Sequence, residues 1–192
     1  MALERAYVAT AEDYPWLEYV FQDAGCVTLV KGRTVEEVLA AFRAETSVKV
    51  PIEDAFGDGE EGFVSVIPSG EGVVAFEYNG FQGSLPEVVA AASEGGAKAA
   101  SMFWNVNDDN AFTCASDGDL VVTVDMYDAE LGDELDEDLD LPEQVRALFT
   151  SASDETSDLH AVGLAMAATY AGVDVSREAV EAVQFAYRYR MR

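Results

Sequence analysis

Positive charge is scarce in this chain. Eleven Lys and Arg stand against 37 Asp and Glu in 192 residues, for a formal charge of −26. Between Val50 and Val145 the only cation is Lys98. Nucleic-acid phosphates and anionic membranes would repel such a molecule, so direct binding to either is not expected. Apolar runs are also short, and none approaches the roughly 18 residues of a membrane span. The start, Met1-Ala2-Leu3-Glu4-Arg5, lacks the basic and then apolar regions of a secretory signal, which points to a soluble cytoplasmic protein.

Cysteine is nearly absent. Cys26 and Cys114 form no C-x-x-C pair and are too few for a disulfide framework. Both lie in strand-like apolar runs and read as reduced, buried thiols. His160 is the only histidine, beside Asp158 at a helix start, and no G-x-S-x-G nucleophile motif accompanies it. One histidine cannot build a His-rich zinc site, and no phosphate-loop or dinucleotide fingerprint is present. With 37 acids some carboxylate pair always lies close, so pairing carries no glycosidase signal. The sequence therefore assigns no catalytic residue, no metal ligand and no cofactor, and the chain reads as non-enzymatic.

What is present is a core. Hydrophobic residues make up 49% of the chain, with ten Phe, eight Tyr and two Trp, which excludes general disorder. Capping-box spacings at Thr10/Asp13, Thr34/Glu37 and Ser84/Glu87, with a looser one at Asp140/Glu143, mark helix starts. The pattern predicts helices near 11–21, 34–44, 85–94, 142–150, 158–171 and 177–190. Gly172 is placed to end the fifth, and Arg188, Arg190 and Arg192 suit the C-terminal dipole of the last. Strands are predicted at 26–31, 62–67, 72–78, 99–106, 111–116 and 119–126. Asp117-Gly118 and Pro68–Gly72 read as hairpin turns. The expectation is a single α+β domain spanning 1–192. It holds a mostly antiparallel five- or six-stranded sheet, flanking helices and a C-terminal helical pair, with an acidic loop at 127–141. That helical pair is a poor DNA reader, because its arginines gather at the wrong end of the second helix.

Two groups of residues invite function. From Asp125 to Asp140, nine of sixteen residues are acidic, interspersed with Leu131, Leu135 and Leu139. Asp136, Asp138 and Asp140 match the first calcium-loop positions, but Leu141 and Ala147 stand where Gly and Glu are required, so the match fails. The segment reads as a solvated loop or as a docking surface for a basic protein, through Asp133, Glu134, Asp136, Glu137, Asp138 and Asp140. The second group is polar and aromatic. Asn79-Gly80-Phe81-Gln82-Gly83-Ser84 links a strand to a helix, and Trp104-Asn105-Val106-Asn107 ends another strand. Amides, glycines and flat rings at strand ends suit a ligand pocket built from Asn79, Phe81, Gln82, Ser84, Trp104, Asn105 and Asn107. They equally suit turn and core roles.

These two segments resemble the N-G-x-Q-G-S and W-N-V-N signature of an uncharacterised domain family common in actinomycetes and their phages. An earlier stretch, Trp16-Leu17 through Gly25-Cys26-Val27-Thr28-Leu29-Val30 and on to Gly32-Arg33-Thr34, is also similar. The likeness covers roughly residues 14–175. It implies a shared fold, leaves a shared site open and brings no activity. The match is weakest over 127–141, so any role for that acid belongs to this chain.

Two function classes follow. One is a non-enzymatic acidic interaction protein, inhibitor or immunity-like, masking a basic and nucleic-acid-binding surface of a partner. The other is a small-ligand or enzymatic domain using the two polar-aromatic segments as a pocket. The acid also has a partnerless explanation, as general adaptation to salt or to a host proteome.

Overall fold

Valine-, alanine- and threonine-rich runs, buried almost without interruption in the central strands, alternate with short helices along the chain. A computed structural model describes residues 7–55, 61–153 and 157–190. Arg5, Met191 and Arg192 lie outside these described residues. The elements in chain order are α1 (Leu17–Phe21), β1 (Gly25–Lys31), α2 (Val35–Ala41), β2 (Lys49–Pro51), β3 (Glu61–Ser69), β4 (Gly72–Tyr78) and α3 (Pro86–Ala92). They continue with β5 (Lys98–Trp104), β6 (Asn110–Ser116), β7 (Asp119–Asp125), α4 (Met126–Glu130), α5 (Glu143–Ser151), α6 (Leu159–Ala171), α7 (Arg177–Glu181) and β8 (Phe185–Arg190). The eight strands form one sheet in the order β2-β8-β3-β4-β1-β5-β6-β7, and every neighbouring pair is antiparallel.

The sheet has two covered faces, and alternation along each strand sorts residues between them. Val27, Leu29, Val74, Phe76, Ala100, Met102 and Trp104 belong to the larger core beneath α6. Val30, Val73, Ala75, Ala99 and Ala115 belong to the smaller core beneath α2 and α3. Helix α6 is buried on all sides from Ala161 to Ala171, as its uninterrupted apolar run demands. Gly163 lets α6 sit close over β5, because a Cβ there would collide with Met102. Its end is as expected: Gly172 adopts a left-handed φ of 68°. The Asp117-Gly118 hairpin also forms, with φ of 52° and 86° matching a type I′ turn between β6 and β7.

Several expectations need correction. The sheet has eight strands rather than five or six, because β2 and β8 carried weak sequence signals. The expected helix 177–190 is only α7, followed by an extended strand. In Phe-Ala-Tyr-Arg-Tyr-Arg, period two puts the three aromatic rings on one face, where Tyr189 is buried in the smaller core with Tyr187 against it, and Ala186, Arg188 and Arg190 on the other. That alternation and the aromatic content favour a strand, and pairing with β2 and β3 supplies its hydrogen bonds. The expected C-terminal helical pair is therefore cut to α6 and the five-residue α7. The helix expected at 11–21 breaks into a one-turn 3₁₀ segment at Ala11–Asp13 and α1. Pro15 explains the break, since it lacks an N–H and disfavours helix at Tyr14. Ser84 does not cap α3; that helix opens at Leu85 with Pro86 in its first position, and the Ser84 hydroxyl donates to Phe81 O at 2.7 Å. The acidic stretch is also not all loop, since α4 occupies its first residues.

Candidate functional site

The acidic segment is built around one cation. Arg146, on α5, turns its guanidinium into the loop and donates to Asp136 O at 2.9 Å and Leu139 O at 2.6 Å. Longer bonds of 3.3 Å reach Leu135 O and Glu137 O. A rigid planar fork suits such a set of converging carbonyls. Leu135 and Leu141 pack against the larger core and fix the loop from beneath. The carboxylates of Asp133, Glu134, Asp136, Glu137, Asp138 and Asp140 are left exposed, and none belongs to an ion pair among the described residues. Arg146 is thus held by backbone carbonyls and forms no ion pair with these side chains among the described residues. Leu131 and Tyr127 stand exposed alongside.

The Asn79–Ser84 segment closes over a buried carboxylate. Glu77 on β4 is 1% exposed, on the smaller-core face. Gly83 N–H donates to its Oε2 at 2.7 Å and Gln82 N–H to its Oε1 at 3.2 Å, while the Tyr189 hydroxyl makes a short bond to Oε1. Burial pushes this carboxyl up to about 7; the three donors act the other way without overcoming it. Cys26 is its cross-strand neighbour, and burial drives that thiol well above its usual range. Glycine is required at two points here. A Cβ on Gly80 would lie 2.7 Å from Glu77 Oε1, and one on Gly83 would collide with Thr28 Oγ1 and sit 2.9 Å from Glu77 Oε2.

A polar row extends from this point across the sheet. Thr28, Ser101, Thr113 and Thr123 are successive cross-strand partners on β1, β5, β6 and β7. Thr28 donates to Gly83 O at 3.2 Å and Thr113 to Ser84 O at 3.1 Å, so the segment is tied to the row by its own carbonyls. Gln82 is 4% exposed and donates through Nε2 to Phe42 O at 2.9 Å. Its Oε1 has no donor among the described residues.

The second segment does different work. Trp104 is 1% exposed and packs edge-on to Phe21 at 5.5 Å between centroids, stacking on His160 at 5.3 Å. His160 in turn contacts Asn110 Oδ1 through Nε2 at 3.1 Å, and burial lowers its pKa. Asn105 folds the following loop: its Oδ1 accepts from Asn107 N at 2.8 Å and Asp109 N at 3.2 Å, and its Nδ2 donates to Asp109 Oδ2 at 2.9 Å. Asn107 is exposed.

The expected single pocket is thereby divided. Asn79 and Val106 do line one shallow groove with Phe21 and Gln22 at the end of β1. Beyond it the segments part: Phe81, Gln82 and Ser84 go to the smaller-core face, where Phe81 meets Phe103, whereas Trp104 anchors the larger core. The pleat is the cause, because Phe103 and Trp104 are consecutive and must point to opposite faces. Sequence reasoning missed Glu77 and Tyr189. A lone acid inside Val73-Val74-Ala75-Phe76-Glu77-Tyr78 was the signal for the first; the second was hidden by the helical reading of 177–190.

No curated protein and no solved structure matches the chain. No helix among the described residues is long and apolar enough to cross a membrane. A family of unknown function, DUF6461, matches residues 7–189, nearly the whole length, and the chain belongs to that family.

Proposed function

We propose that this is a non-enzymatic interaction protein, inhibitor or immunity-like, which acts in the cytoplasm by masking a basic, nucleic-acid-binding surface of a partner protein. The observation that carries this reading is the role of Arg146. By taking four backbone carbonyls it holds the loop in shape while leaving six carboxylates unneutralised and turned to solvent. A preordered anionic surface loses less entropy on docking than a free acidic tail, and its field accelerates encounter with cations. Exposed Leu131, at the same place, supplies an apolar contact that a purely electrostatic surface lacks.

The test is capture from native lysate at low and high salt. A basic partner should be retained at low ionic strength and released as ionic strength rises. Neutralising Asp133, Glu134, Asp136, Glu137, Asp138 and Asp140 to the corresponding amides should abolish capture without lowering the melting temperature. A partner held equally well by the neutralised protein, or no salt-sensitive partner at all, refutes the reading.

A further inference from the structure

Between α2 and α3, on the smaller-core side, lies a cavity of about 260 Å³. Small and apolar residues wall it, Ala40 and Ala41 from α2 and Leu85, Val88 and Ala91 from the α3 side, and Gln82 lines it as well. The orientation of the Gln82 amide is set by its neighbour: Phe42 O can only accept, so Nε2 must face it and Oε1 must face away. That oxygen is buried, and no donor among the described residues reaches it. A buried amide carbonyl left without a donor costs on the order of the desolvation of one polar group, so native proteins rarely tolerate one without a reason.

The cavity also carries a cation. Arg43 lines it and forms no ion pair among the described residues, in a chain with 37 acids. It occupies the left-handed position just after α2, with φ of 56°, where its N–H closes on Ala40 O at 2.9 Å. Glycine is the residue that fits this position without penalty, so a side chain placed there is kept against local preference. Arg43 is the only cation among the described residues that line the cavity, which suits a single negative charge on anything bound; Glu87 also lines it.

We propose that this cavity binds a small organic monocarboxylate with an N–H or O–H donor at its other end. The donor satisfies Gln82 Oε1, the short apolar body lies among Ala40, Ala41, Val88 and Ala91, and the carboxylate pairs with Arg43. The volume is just under the roughly 300–1,000 Å³ of drug-sized sites, which limits the ligand to a small metabolite. This site is independent of the anionic loop, since it lies on the opposite face of the sheet from the core that Leu135 and Leu141 join.

The experiment titrates the whole chain with para-hydroxybenzoate and delta-hydroxyvalerate. It follows nitrogen–proton correlation spectra and the melting temperature. At least one acid should shift the Gln82 side-chain amide together with the Ala40 and Ala91 backbone signals, and raise the melting temperature. Its methyl ester should bind about tenfold more weakly or not at all, as loss of a charge-assisted pair requires. Arg43→Gly should weaken binding similarly while leaving the fold as stable or more stable, a combination that a purely structural arginine would not produce. Gln82→Met should also lose binding; should that variant not fold, Arg43→Gly and the ester still decide. The proposal is overturned if no acid perturbs these signals, if Gln82 is found satisfied by water alone, or if binding persists undiminished in Arg43→Gly.

Discussion

Glu77 is the residue whose environment departs most from its chemistry. An exposed glutamate titrates near about 4.3, whereas this one is held near 7 by burial, so the folded state favours the protonated form. The stability it contributes is complete at acid pH, below the usual glutamate range, and is lost as pH rises through about 7, a change on the order of 3 kcal/mol. Urea unfolding of the wild type and Glu77→Gln at about pH 5 and about pH 8 isolates that component from the general charge. The variant should gain on the wild type by on the order of 3 kcal/mol between those conditions; a constant difference would refute the assignment. Gly83 is constrained by the same carboxylate. Gly83→Ala should destabilise by about 2–4 kcal/mol through collision with Thr28 and Glu77, whereas Gly70→Ala, with open space around it, should cost only about 1 kcal/mol. Trp104→Ala is expected to remove about 3–5 kcal/mol, because the ring is a core anchor against Phe21 and His160, not a ligand platform.

At the scale of elements, the acidic loop and β8 show how little of an element's role lies in its own composition. The loop's acids are conspicuous, but its shape depends on Arg146 in the next helix and on Leu135 and Leu141 beneath it. Arg146→Ala should therefore leave all six carboxylates in place yet speed hydrogen exchange across 135–141. It should also weaken binding of a basic partner through faster release, since the disordered loop must be ordered again on docking. If exchange there is unchanged, the guanidinium is not what orders the loop. β8 sits between β2 and β3, and its Tyr189 reaches the buried carboxylate of β4 while its Arg188 bridges Glu45 at 2.8 Å and Glu61 at 3.2 Å. Much of the fold was legible beforehand: both hairpins, the cap at Thr34, the end of α6 and the inward strands. The ends of the sheet were not. β2 is three residues long and β8 follows a helix start, so local pattern alone could not separate strand from continued helix. The candidate site was half legible: the glycines and amides stood out, but which sheet face each would reach depends on register.

For the whole molecule, the charge of −26 is a self-repulsion that costs folding stability. Only five ion pairs join side chains among the described residues, and all of them involve partly or largely exposed groups, so local pairing offsets little of the repulsion. Screening should therefore stabilise the protein. Calorimetry from low salt to about 1 M NaCl, where the Debye length falls to about 3 Å, should show a rising melting temperature, most of it gained by physiological ionic strength. A flat or falling curve would mean that the acidic surface is already balanced by the fold. The same experiment bears on partner binding, which should move in the opposite direction with salt.

By itself the sequence determined the α+β class, the antiparallel hairpins, the buried thiols and an electrostatic field hostile to phosphate. Each of these follows from composition or from contacts within a few residues. Tertiary structure decided the rest: that β8 is a strand, that Glu77 lies sealed beneath Asn79–Ser84, that Trp104 and Gln82 face opposite ways, and that Arg146 orders the acidic loop. These are long-range pairings. Which face a side chain reaches is set by strand register, and whether a charge is neutralised is set by groups distant in the chain; neither is encoded in any local window.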